Sequence, residues 1–139
     1  MSVRVAKSAG FCFGVSRAVE LVEQAAKAGK KVVTLGPIIH NHHVVDKFRA
    51  LGVEVIDAPE RAHPGQTVII RSHGVSRAVY EELQRRGVEI IDATCPFVKR
   101  IHGIVSRAEE EGQLPVIIGT PTHPEVEGIA GWCRDCRVF

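Results

Sequence analysis

Aromatic residues are scarce in this chain. Trp and Tyr occur once each and Phe five times, 5% of 139 residues in all, too few for the stacking platforms that single-stranded nucleic acids need. An excess of charge of one sign is also missing. Lys and Arg number 18 against 16 Asp and Glu, a formal net charge of +2, which argues against a basic nucleic-acid-binding face. No apolar run approaches the roughly 20 residues that span a bilayer, and the opening MSVRVAKSAG lacks the apolar stretch of a secretory signal. The sequence thus reads as a soluble cytoplasmic protein with no nucleic-acid and no membrane partner. Leucine is rare too: five, against 32 Val and Ile, a balance that favours buried strands over helical bundles.

What is present is a rhythm of short β-branched runs bounded by glycine. Val3–Ala6, Lys31–Leu35, Val53–Ile56, Thr67–Arg71, Val88–Ile91 and Pro115–Gly119 read as strands. They alternate little between apolar and polar, as parallel strands covered on both faces do. Helical spacing fills most of the intervals: Val15–Ala28, Val44–Leu51, Val75–Arg86 and Phe97–Glu111, each followed by Gly. Asp57–Gly65 reads as a loop or a single turn. The pattern predicts an α/β fold of small units with parallel sheets.

An internal repeat sharpens the pattern. Cys12 is followed at +17, +24 and +28 by Gly29, Gly36 and His40, and Cys95 at the same offsets by Gly112, Gly119 and His123. Three shared offsets with matching predicted elements suggest duplication. The 83-residue period divides the chain into a first α/β unit at 1–93 and an incomplete second at 94–139, so the chain reads as cut within a unit. Arg137–Phe139 then corresponds to part of the strand Val53–Ile56. A shorter echo, GVSRAV, occurs at 14–19 and 74–79, each copy expected to open a helix.

Chemistry-bearing residues gather at one kind of place. Cys12, His40, His73, Cys95 and His123 each lie a few residues beyond the carboxyl end of an expected strand, and parallel sheets bind ligands along that rim. Cys12 and Cys95 also precede helices, where partial positive charge favours a thiolate. Two such thiolates suit iron–sulfur ligation or zinc. Imidazoles near helix N-termini suit a phosphate or diphosphate. Glu125 and Glu127 both follow His123 closely, and spacing does not choose between them as a proton donor. His42, His43, His63 and His102 read as surface residues. Cys133 and Cys136 form a C-x-x-C motif, open to incidental, zinc-binding or redox readings.

In order and spacing, GFCFGVSRAVE, GPIIHNHHVV, RSHGVS, DATCPFV and HPEVEG resemble the LytB/IspH family of 4-hydroxy-3-methylbut-2-enyl diphosphate reductases. The resemblance implies three similar α/β units around a central [4Fe-4S] cluster, with the third unit, and the third Cys ligand with it, absent from this chain. It implies reductive removal of a hydroxyl from an allylic diphosphate, giving isopentenyl and dimethylallyl diphosphates, the last step of the non-mevalonate isoprenoid pathway. Electrons would come from ferredoxin or flavodoxin. By motif, Cys12 and Cys95 would ligate the cluster, His40, His73 and His123 would hold the substrate, and Glu125 would donate the proton. Competing with this is a non-enzymatic α/β module that binds phosphate or, through all four cysteines, zinc.

Overall fold

The computed structural model describes residues 2–139. Its main sheet has four parallel strands in the order β2-β1-β3-β4, with β1 at Val32–Leu35, β2 at Glu54–Ile56, β3 at Thr67–Ile70 and β4 at Glu89–Asp92. Helix α1 (Phe13–Lys27) precedes β1, α2 (His42–Ala50) joins β1 to β2, and α3 (Arg77–Arg85) joins β3 to β4. Between β2 and β3 the segment expected as a loop or single turn holds one 3-10 turn, Pro59–Arg61. The two central strands, β1 and β3, are buried throughout, which is why they consist of Val, Ile, Thr and Leu in sequence. Alternate side chains enter opposite layers. Val32 and Ile69 pack with Ala18, Val22 and Phe48 of α1 and α2. Val33, Val68 and Ile70 pack with Leu83 of α3 and Ala62.

Beyond β4 come α4 (Pro96–Glu110), β5 (Val116–Ile117), α5 (Pro124–Ala130) and β6 (Arg137–Val138). Strands β5 and β6 pair in parallel as a separate two-stranded sheet. The register repeats the first half: Val33 lies opposite Glu54, and Val116 opposite Arg137, positions separated in both cases by the 83-residue period. Among the described residues, no helix is long and apolar enough to cross a membrane.

One expectation fails. Val3–Ala6 is not a strand: Val3 and Val5 are 86% and 80% exposed, and the segment pairs with neither edge of the main sheet. A β-branched run forms a strand only where a neighbour takes its backbone groups. The two GVSRAV copies both open a helix, as expected, but enter it differently. The first copy lies inside α1, whereas in the second Gly74 adopts φ +75° and Ser76 caps α3. Positive φ at Gly74 turns the chain before the helix can begin.

Ile69→Ala should lower unfolding free energy by about 2–5 kcal/mol, since Ile69 is fully buried on a central strand. Val55→Ala, on the exposed edge strand β2, should cost about 0.5 kcal/mol or less. Urea midpoints check both, and equal losses would contradict this layering.

Candidate functional site

The loops after β1, β3 and β5 bring three histidines together. The His40 and His73 ring centroids are 5.1 Å apart, and those of His73 and His123 are 5.8 Å apart with the rings edge to face. His73 is half-buried at the centre, and its Nδ1 is buried with no partner. Burial, then the positive fields of His40, Arg71 and His123, hold its pKa down to about 4. At neutral pH the central ring is therefore uncharged and able to donate one N–H.

His123 has a second task. It is the N-cap of α5, and its Nδ1 accepts a hydrogen bond from the Glu125 backbone N–H at 3.2 Å. That bond requires Nδ1 to carry no proton, so in the neutral ring the proton sits on Nε2. Glu125 accordingly belongs to the first turn of a helix.

The cysteines occupy helix starts of an unusual kind. Asn41, Ser76 and His123 cap α2, α3 and α5 through their side chains. Cys12 and Cys95 stand at the N-caps of α1 and α4 and make no side-chain cap bond, which leaves both thiols uncommitted. The two helix starts are pressed together. A Cβ on Gly14, two residues after Cys12, would stand 2.6 Å from the Cys95 Sγ, so only glycine permits this approach. Arg17 ties the same junction from α1, donating to the Thr94 and Asp92 carbonyls, both at 3.3 Å. The Cys95 N–H donates to the Ser72 carbonyl at 2.9 Å, one residue before His73, and so joins the thiol loop to the histidine loop. Phe11, Phe13 and Phe97 stand exposed beside the two cysteines. Sequence reading missed Gly14, Arg17 and Ser72. They lie inside the quoted motifs, but only contact reveals their work.

Arg71 was also missed, although it opens RSHGVS. Its guanidinium is half-buried, its Nε has no partner, and burial lowers its pKa while Glu127 opposes the shift. Glu127 lines a shallow groove with Arg71, Val75 and Ser76. Of the two carboxylates after His123, Glu127 is the one whose charge acts on Arg71, without an ion pair between them.

The remaining histidines and cysteines stand apart. His42, His43 and His63 are exposed as expected. His102 is not a surface residue: it is 5% exposed and stacks on Trp132 with centroids 5.1 Å apart. Helical spacing put its side chain on the face of α4 that meets the α5–β6 connection, and that neighbour is set by tertiary packing. His102 and Trp132 line a cavity of about 360 Å³ with Ile70, Tyr80 and Lys99, which includes none of the three clustered histidines. Among the described residues, no three or more metal-ligating side chains gather at one point, so the four thiols do not share a zinc site.

The buried imidazoles should shape acid stability. Burial lowers the pKa of His73 from an ordinary 6.5 to about 4 and also lowers that of His102. The unfolded chain then takes up these protons at higher pH than the folded one. The contribution of His73 is complete above pH 6.5 and is lost as pH falls toward 4, and that of His102 is lost in the same direction. Urea midpoints should fall across that window, and His73→Gln should flatten the slope, leaving the share of His102. An unchanged slope would contradict the account.

The family model described as LytB protein matches residues 3–139. A Thermoanaerobacter sp. (strain X514) protein named 4-hydroxy-3-methylbut-2-enyl diphosphate reductase is 47% identical over 97% of this chain and 48% of its own length. The Aquifex aeolicus protein of the same name is 46% identical over 99% of this chain and 47% of its own. A solved (E)-4-hydroxy-3-methyl-but-2-enyl diphosphate reductase, the terminal enzyme of the non-mevalonate pathway, superposes with TM-score 0.83 and 44% identity. It covers 98% of this chain, which covers 50% of it. The Plasmodium falciparum E-1-hydroxy-2-methyl-but-2-enyl-4-diphosphate reductase superposes with TM-score 0.91 and 30% identity, 96% of this chain and 42% of that one being matched. The chain thus spans about half the length of the curated relatives it matches. With its motifs, its parallel sheet and its full-length match in hand, the chain belongs to the LytB protein family.

Proposed function

We propose that this chain is the N-terminal portion of a cytoplasmic reductase that removes the hydroxyl from 4-hydroxy-3-methylbut-2-enyl diphosphate, giving isopentenyl and dimethylallyl diphosphates. The observation that carries the reading is one rim on which three touching histidines adjoin two cysteine N-caps with free thiols. Residues 1–93 and 94–139 are then successive α/β units of the enzyme, and the matching strand registers of the two support that division.

The donor set suits an iron–sulfur cluster in part. Cys12 and Cys95 offer soft sulfur at adjacent helix N-termini, with exposed Phe side chains beside them to limit water. They would supply two of three thiolates, and no third cysteine stands with them among the described residues. When bound, a [4Fe-4S] cluster supplies the two electrons of the reaction, delivered to it by ferredoxin or flavodoxin. In sum, the alcohol, two electrons and two protons give isopentenyl or dimethylallyl diphosphate and water.

The chain's own groups bind and protonate. His40, His73 and His123 hold the diphosphate, the neutral His73 as an N–H donor and His123 through the Nε2–H that its capping bond leaves outward. Neutral donors bind an anion by hydrogen bonds without the desolvation cost of burying further charge. Glu125 donates a proton to the departing hydroxyl, because water leaves far more readily than hydroxide. The choice of Glu125 over Glu127 is supported by the charge of Glu127 acting on Arg71.

Iron and acid-labile sulfide analysis of anaerobically prepared protein tests the cofactor. The 139-residue chain should hold a cluster only labilely and turn over negligibly; a stable cluster with steady turnover would overturn the two-ligand reading. In an enzyme of the relatives' length carrying this segment, Cys12→Ser or Cys95→Ser should abolish cluster and activity together, because serine is a poor ligand for soft metals. Zinc in place of iron would overturn the proposal.

In that enzyme Glu125→Gln should lower kcat about 10²–10⁴-fold, the usual contribution of a general acid, with iron content and substrate affinity little changed. Glu127→Gln should affect turnover much less. The reverse ranking would move the proton donor to Glu127.

A further inference from the structure

The cavity beside Trp132 plays no part in the chemistry above. It lies between the carboxyl ends of β3 and β4 and the helices α3 and α4, and its volume of about 360 Å³ suits a small molecule. Folded interiors are otherwise close-packed, so a space of this size persists only where its walls cannot move inward. Here the walls are tied. Trp132 donates from Nε1 to the Val75 carbonyl at 2.9 Å, and its own carbonyl accepts from Ser106 Oγ at 3.0 Å. His102 stacks on the indole at 5.1 Å, and Arg77 lies over the same ring system at 5.5 Å. An edge of the imidazole is seated on the backbone, since a Cβ on Gly74 would stand 2.7 Å from its Cε1.

The mouth of the cavity is marked by Lys99 and Gly103, the exposed members of its wall. Gly103 sits in the interior of α4, where glycine costs helix stability relative to alanine. Packing does not ask for it, because a Cβ there would meet no atom within 4 Å. What the missing side chain leaves clear is the opening.

The wall sets the chemistry of the occupant. Ile70, Val75, Tyr80 and Trp132 give it an apolar and aromatic surface. Its charges offset each other, because Lys99 Nζ meets Asp92 Oδ2 at 2.6 Å. The indole N–H and the Ser106 hydroxyl are committed to the bonds above, and Nε2 of His102 is buried. An ion would find no free counter-charge, whereas a flat neutral ring would meet aromatic neighbours. We propose that this cavity binds a small neutral aromatic molecule of one or two rings, at a site separate from the histidine and cysteine rim. The inference stands independently of the reductase reading.

The test uses the isotope-labelled 139-residue chain, nuclear magnetic resonance and naphthalene as the probe. Naphthalene should bind saturably and shift most the Gly103 amide and the indole N–H of Trp132, the chain's one tryptophan. A naphthalene sulfonate and a naphthylmethylammonium, which add a charge to the same rings, should bind about tenfold or more weakly. Gly103→Leu should weaken naphthalene about tenfold or more, because the added side chain fills the mouth. That variant should keep a folded spectrum, since leucine suits a helix and its Cβ meets open space. On the unaltered chain, absence of saturable shifts, largest shifts at the exposed Phe11, Phe13 and Phe97, or equal binding of the charged probes would each overturn the proposal. A folded Gly103→Leu chain that binds naphthalene as before would overturn it too.

Discussion

The contact between Gly14 and Cys95 is the constraint on which the rest of this rim depends. Two helices, one at each end of the 83-residue period, begin side by side because the first carries no side chain where the second places its sulfur. Arg17 fixes the distance from α1 by bonding the last carbonyls before Cys95. Neither cysteine is consumed by capping its helix, although the N-cap is where Ser, Asn or Asp would normally satisfy an amide. The helix starts thus forgo a local bond, and the thiols remain free for another ligand.

The histidine side of the rim follows a complementary logic. Three imidazoles in contact would repel one another if all were charged, and burial at the centre settles the question in favour of a neutral His73. The capping bond of His123 fixes its tautomer, because an Nδ1 that carries a proton could not accept it. Positive charge is present beneath the cluster in Arg71, where Glu127 partly offsets it. Under the proposed function, an arriving diphosphate would meet hydrogen-bond donors in a field that is positive but not saturated.

Much of this was legible in the sequence, and the failures have a common cause. Four strands of the main sheet and the helices between them follow from β-branched runs and glycine stops, and the late strand at Arg137–Val138 follows from the repeat. The repeat offsets reappear as identical strand registers, because the same spacing of Gly and His returns the chain to the sheet at the same point. Val3–Ala6 has the composition of a strand but no neighbouring strand to pair with. His102 has the pattern of a helix surface, yet Trp132 covers it. In each case the local pattern was read correctly and the decisive partner lay elsewhere in the chain.

By itself the sequence determined the parallel α/β class, the repeat, the family resemblance and the identities of the rim residues. These rest on spacing and side-chain type, which act over a few residues or recur at fixed intervals. Tertiary structure alone decided that His40, His73 and His123 touch, that His73 stays neutral, that the charge of Glu127 acts on Arg71, and that Trp132 covers His102. Proton affinity and contact depend on burial and on charges brought from distant parts of the chain. Those quantities come into existence only when the loops after separate strands converge on one edge of the sheet.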